Sequence, residues 1–206
     1  MLSAIGSVWL STQQTVKTQE IADLNRDIAA KSDRIAELNR EIAAKGEEIV
    51  ASIMGGDSFC YLTFDAPGLG SGTPLLVLVH SGKHPLYEVS IRITDVDRFE
   101  EVLKLSGPSF EQLQSADTSI AVGNIFPDLA QVLRRWPSLD RQSKRYDVFI
   151  VARNGLTTEL IRLRQVNGVW KQALRVLRDK AGKSETLFEK VDAEYPREVD
   201  GEVGWK

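Results

Sequence analysis

Two histidines and one cysteine are the side chains best suited to metal or nucleophilic chemistry, and their spacing speaks against both. His80 and His84 lie four residues apart, but Pro85 follows directly, so the pair belongs to a loop rather than one helix face. With Cys60 they make three ligands at most, and no Cys-x-x-Cys pair accompanies them. No metal and no cofactor are expected. His80 stands beside Ser81, but a nucleophile needs its base in space, not in sequence, and no Gly-x-Ser-x-Gly elbow encloses either residue. Gly82-Lys83 and Gly182-Lys183-Ser184 lack the earlier glycine of a phosphate loop; Val77 and Leu177 stand in those places. Gly68-Leu-Gly-Ser-Gly72 precedes a strand pattern, not the helix that a dinucleotide turn requires. Asp95 and Asp97 sit where a helix begins, which is a capping arrangement. What remains of an enzymatic reading is a small site in the loops around His80–His84. It requires a cleft joining a histidine to Cys60 or a carboxylate. Cys60 itself lies in the apolar run Phe59–Leu62 and reads as a buried thiol.

Basic residues form the second constellation. Arg134, Arg135, Arg141, Lys144 and Arg145 are interrupted by one acid, Asp140, and by Trp136, a composition that suits an anionic polymer or lipid surface. Downstream, Asn154-Gly155 and Asn167-Gly168 are each flanked by alternating apolar residues, the strongest short signal for a hairpin. They predict a three-stranded meander over 145–153, 156–166 and 169–178. Two-residue turns centred on these dipeptides set Asp147 opposite Arg162, Phe149 opposite Leu160, Arg164 opposite Lys171 and Leu163 opposite Gln172. Arg145 then falls opposite Arg164, and Arg145, Arg164 and Lys171 make one positive row. Directly opposed like charges destabilise a sheet. Such a row needs an anion, a carboxylate from elsewhere in the chain, or free water. With Arg162 and Arg175 it is the candidate binding face. The alternative is neutralisation within the fold, for which the acidic tail (Glu194, Glu198, Asp200, Glu202) is placed to serve.

The elements that carry these residues read as strands after Asp57. Phe59–Phe64, Leu75–Val79 (buried on both faces), Leu86–Ile93, Ser119–Val122 and Thr186–Val191 join the meander. The stretch 66–74 is a glycine- and proline-rich loop. Helices are expected over 95–105, with Asp95 as cap, over 109–116 as a further turn, and over Asp128–Trp136, stopped by Pro137. Seven or eight short strands without βαβ alternation predict a mainly antiparallel β-sandwich, an Ig-like one among the arrangements that fit, with two or three short helices.

Before Asp57 the period is seven. Residues 21–34 and 35–48 repeat one pattern, which sets Ile21, Ile28, Ile35, Ile42 and Ile49 on a seam with Leu24 and Leu38. Calling the isoleucine positions a, the d positions are Leu24, Lys31, Leu38, Lys45 and Ser52. Branched residues at a and leucine at d favour a parallel two-stranded coil. Each d lysine follows an acid by four residues, Asp27 before Lys31 and Glu41 before Lys45, so the lysines are expected to fold over their own helix. A stripe this narrow predicts self-association, a homodimer first and a trimer second, with a single helix packed on the head as the alternative. The helix runs from about Gln13 to Met54, roughly 60 Å, and Gly55-Gly56 ends it.

Composition bounds the rest. Of 206 residues, 42% are hydrophobic and 27% charged, as in an ordinary folded domain. The net charge of −3 gives no general argument for nucleic acid, which is not the expected partner. A single cysteine excludes an internal disulfide. Residues 1–12 form an apolar stub containing Leu2, Ile5, Val8, Trp9 and Leu10, too short for a span of about 20 residues. It fits a soluble helix start, an interfacial anchor or the end of a truncated membrane segment.

The segment Gly55-Gly-Asp-Ser-Phe-Cys-Tyr-Leu62, directly after the Ile-Ala-x-Leu-Asn rod, resembles uncharacterised bacterial proteins with a membrane segment, a short coiled coil and a β-rich head. Pro85–Ile93, Ala152–Gly155, Leu187–Asp192 and Gly201–Trp205 extend the likeness. That family carries no known activity, so the resemblance implies no catalytic residue. The expected organisation is a stub over 1–12, a coiled-coil helix over 13–54 and a β-sandwich over 57–206. The expected function is non-enzymatic: a self-associating protein, membrane-associated (single-pass or peripheral) or else cytoplasmic, whose head binds or senses an unknown macromolecule.

Overall fold

The computed structural model describes residues 2–65, 73–137, 139, 141–180 and 182–205, with side chains from Gln14 onward. The stretch expected as a glycine-rich loop therefore lies, from Ala66 to Gly72, outside the described residues. The chain divides into two compact units, residues 1–49 and 50–206.

The first unit belongs to one helix, α1 (Leu2–Met54, 53 residues). Alanine, leucine, glutamate, lysine and arginine dominate the repeat and are strong helix formers. Charged neighbours one turn apart support it: Lys31 Nζ lies 2.7 Å from Asp27 Oδ2, Lys45 Nζ 3.2 Å from Glu41 Oε1, and Arg26 3.1 Å from Asp23. Exposed pairs of this kind contribute about 0.2–0.5 kcal/mol each. Both d-position lysines thus fold back onto the acid four residues earlier. Gly55 ends the helix, its amide donating to the Ala51 carbonyl (2.9 Å) at φ 92°, a conformation that carries no steric cost only without a Cβ.

Among the described residues the second unit is a mostly antiparallel β region with two short helices. In chain order it comprises β1 (Phe59–Phe64), β2 (Leu75–Ser81), β3 (Leu86–Asp95), α2 (Val96–Leu103), α3 (Phe110–Gln114), β4 (Asp117–Ile125), β5 (Ala130–Arg135), β6 (Ser143–Ala152), β7 (Gly155–Val166), β8 (Val169–Lys180) and β9 (Lys183–Val191). Strands β1-β2-β5 make a three-stranded sheet, and β4-β3-β6-β7-β8-β9 a six-stranded one. Period-two patterning sets the core. Cys60, Leu62 and Phe64 of β1, Leu76 and Leu78 of β2, and Val89, Ile91 and Ile93 of β3 bury alternate side chains in one cluster with Val148, Ile150, Ile161 and Leu163. In β2 the residues between them are half-buried, so only one face is fully covered. Asp95 caps α2 by accepting from the Arg98 amide, and Ser109 with Gln112 forms a capping box on α3.

One expected helix is a strand. Residues 130–135 form β5, paired to β2 with Val77 opposite Val132 and Leu75 opposite Arg135. Asp128 at φ 60° turns the chain into it. As an edge strand, β5 buries neither face fully, and so carries no alternation to tell it from a helix. Pairing with β2 satisfies its backbone and overrides local propensity.

Candidate functional site

The helix seam is open. Ile21, Leu24, Ile28, Ile35, Leu38, Ile42 and Ile49 are 39–68% exposed. Burying such a side chain fully is worth roughly 1.5–3 kcal/mol. The stripe therefore holds a large unused driving force along one line.

The basic face is built differently from the expectation. The β7–β8 turn is as read: Asn167 and Gly168 take positive φ (51° and 80°), and Arg164 faces Lys171. The β6–β7 turn instead uses Arg153-Asn154, with Ala152 paired to Gly155. The Asn154 amide nitrogen donates to the Gly56 (3.1 Å) and Ser58 (2.7 Å) carbonyls, and the Arg153 amide to the Tyr87 carbonyl (3.0 Å). These ties hold the tip and slide the register by two residues. Arg145 consequently faces Arg162 rather than Arg164, and Asp147 faces Leu160. A slip of two keeps every side chain on its own face.

Four of the five candidate bases, Arg145, Arg162, Lys171 and Arg175, are met by carboxylates of their own chain. Arg145 Nε lies 2.8 Å from Asp97 Oδ1, and its Nη2 2.6 Å from Glu100. Arg162, 3% exposed, pairs with Asp147 at 3.0 Å and donates to the carbonyls of Tyr146 and Trp205. Arg164 and Tyr195 line the same cavity. Lys171 reaches Glu194 (3.4 Å), and Arg175 pairs with Glu189 (2.7 Å) beneath the Trp205 ring, 4.3 Å away. The C-terminal segment packs there through Tyr195 and Val203 against Ala173. A polar cavity of about 260 Å³ remains between Arg145, Arg162, Arg164, Tyr195 and Glu198. Trp136, which lies in sequence within the basic run, is 6% exposed; its Nε1 donates to the Tyr146 hydroxyl (3.2 Å) and its ring meets Phe64 and Tyr146 edge-on.

Sequence reasoning missed the inward polar set. Strand β1 turns one backbone edge away from β2, and side chains of the large sheet bond it. Glu159 Oε2 accepts from the Leu62 amide (2.8 Å). Gln172 accepts from the Phe64 amide (3.3 Å) and donates to its carbonyl (3.2 Å). Arg178 donates to the Ser58 carbonyl (2.9 Å). The signal was available: Glu159 and Gln172 interrupt the apolar parity of their strands. Burial pushes the Glu159 carboxyl well above its ordinary value, and the Leu62 amide opposes this only in part. Burial, with the Glu159 charge second, pushes the Cys60 thiol up to about 12.

His80 is buried, its Nε2 2.9 Å from the His84 carbonyl, and the Ser58 hydroxyl accepts from the His84 amide (2.9 Å). Gly82 allows this packing, for a Cβ there would stand 2.7 Å from the Ser58 Cα. Among the described residues no three His, Cys, Asp or Glu side chains are grouped to hold a metal ion. Among the same residues no helix is long and apolar enough to cross a membrane. No protein-family model, no curated protein and no solved structure matches this chain.

Proposed function

We propose that this is a non-enzymatic, self-associating protein. Its N-terminal helix pairs with a second copy, and its β region, a sandwich of the three-stranded sheet on the six-stranded one, is the part that binds or senses a macromolecule. The apolar stub containing Leu2, Ile5, Val8, Trp9 and Leu10 holds the assembly at a membrane surface. Uncharacterised bacterial proteins with a membrane segment, coiled coil and β-rich head are the group this organisation resembles.

One observation carries the reading: seven aliphatic side chains at heptad spacing stand exposed on α1. A lone helix in water gains nothing from such a stripe, whereas two helices bury it on each other. The basic face gives no comparable support for an anionic ligand, because carboxylates of the same chain already lie on it. Light scattering on the full chain tests the proposal. Wild-type protein at tens of micromolar has a multiple of the monomer mass, and Ile28→Asp with Ile35→Asp returns it to monomer while its β-sheet circular dichroism persists. A monomeric wild type ends the proposal.

A further inference from the structure

We infer that the C-terminal segment, residues 192–205, is a displaceable strap, and that the sheet face beneath it is a groove for an acidic peptide with an aromatic anchor. This rests on the binding role proposed for the β region and gives it a place and a ligand chemistry. It needs no pairing of α1.

The groove is made by alternate residues of two strands. Arg162 and Arg164 of β7 share a face with Lys171, Ala173 and Arg175 of β8, with Ala173 opposite Arg162 and Lys171 opposite Arg164. Alanine between two long bases leaves a notch. Tyr195 (6% exposed) and Val203 (4%) pack against it, and the Trp205 ring lies 4.3 Å from the Arg175 guanidinium. Beside these anchors Lys171 reaches Glu194 (3.4 Å), and Arg162 donates to the Trp205 carbonyl (3.2 Å). Aromatic and apolar anchors in a notch, flanked by an acid on a base, are the contacts of a bound peptide.

The strap is held as a ligand is, not as a strand is. Its backbone joins the sheet at Asp192, whose amide donates to the Gln172 carbonyl (2.9 Å). Beyond that point, among the described residues, its backbone–backbone hydrogen bonds are its own. The Tyr195 amide donates to the Asp192 carbonyl, the Glu198 amide to the Glu202 carbonyl and the Gly201 amide to the Glu198 carbonyl. Residues 197–202, between the anchors, are exposed. The fit beneath is incomplete as well. The polar cavity of about 260 Å³ has Tyr195, Glu198 and Gly204 of the strap on one side and Arg162 and Arg164 on the other. The buried Trp205 Nε1 has no hydrogen-bond partner among the described residues. Folded interiors are close-packed and their polar atoms paired, so this contact forgoes binding energy that a better-fitting peptide gains.

Release of the strap takes Glu194 from Lys171, while Arg162 and Arg175 keep Asp147 and Glu189 on neighbouring strands. The acids of the strap are thus a resident ligand. Its tether gives it an effective concentration of about a millimolar, and a free peptide enters only where the strap is weakened.

The test uses the full chain with Tyr195→Ala and Val203→Ala, and a fluorescein-labelled peptide of residues 192–205 followed by anisotropy. The variant binds the peptide at least tenfold more tightly than wild type, whose groove is filled in cis. Lys171→Glu added to the variant weakens binding roughly tenfold, and Glu194→Lys in the peptide recovers it. Equal binding to wild type and variant overturns the inference, as does no binding to a variant that keeps its β-sheet circular dichroism. So does a Lys171→Glu effect that is absent or is not recovered. Should the variant lose its fold, hydrogen exchange on wild type decides. The Tyr195, Glu198 and Gly201 amides are expected to exchange at least tenfold faster than those of β7 and β8, and equal protection makes the segment a fixed part of the fold. A failed titration in a protein that is multimeric by light scattering removes this groove alone, whereas a monomeric wild type ends the self-association and leaves the groove to its own test.

Discussion

Glu159 is a residue where the fold bears an electrostatic cost. It is wholly buried, accepts one hydrogen bond from the Leu62 amide, and its other oxygen has no hydrogen-bond partner among the described residues. Its carboxyl is held well above the ordinary 4.5, so the folded protein keeps a proton there that the unfolded chain releases near that pH. Where the native state binds more protons than the unfolded one, stability falls as pH rises. The penalty therefore begins just above 4.5 and grows until pH passes the folded value. Glu159→Gln keeps an acceptor for Leu62 and cannot ionise. Urea midpoints at pH 5 and pH 8 should show wild type losing stability relative to this variant; two curves that move together with pH would discard the account. Cys60 was legible as buried from the apolar run around it. The role of Glu159 was not, because the backbone edge it satisfies lies 97 residues away in sequence. An inward acid announces a buried partner without naming it.

At the scale of elements, legibility followed the strength of the local code. The fourteen-residue repeat, the Asp95 cap and the Asn167-Gly168 turn each state their geometry within a few residues, and α1, α2 and the β7–β8 hairpin have it. The β6–β7 register and strand β5 were set from outside. Asn154 is held by Gly56 and Ser58, and β5 is defined by β2. In α1 the informative conflict is lysine at two d positions. Lys31 and Lys45 occupy sites where leucine would complete the seam, so in the proposed pair they give up association strength. Lys31→Leu with Lys45→Leu should lower the dissociation constant at least tenfold, since each leucine buries about 1.5–3 kcal/mol of apolar surface. Sedimentation equilibrium reads this directly, alongside a higher thermal midpoint for the helical signal. Should neither move, these positions do not face a partner and the heptad assignment fails.

For the whole molecule, pairing and membrane attachment are one problem. The stub has too few apolar residues to span a bilayer, and a single short apolar anchor binds a lipid surface only weakly and reversibly. In the proposed assembly, two stubs on a parallel pair would begin at the same end, so insertion of the first would raise the effective concentration of the second at the surface. Attachment should then depend on residues that never touch lipid. In flotation with neutral phosphatidylcholine vesicles, Ile28→Asp with Ile35→Asp is expected to lower the bound fraction at least tenfold, although Leu2, Ile5, Val8, Trp9 and Leu10 are unchanged. Salt separates this from adhesion through the basic face. Apolar insertion is indifferent to added salt, whereas attraction of Arg145, Arg164 and Lys171 to anionic lipid is screened by it. Arg145 and Lys171 already have carboxylate partners in Asp97 and Glu194. Replacing neutral vesicles by anionic ones should therefore add little. Equal flotation of wild type and the paired-aspartate variant would show that the anchor works alone. Flotation on anionic vesicles only, abolished by salt, would move the contact from the stub to the sheet.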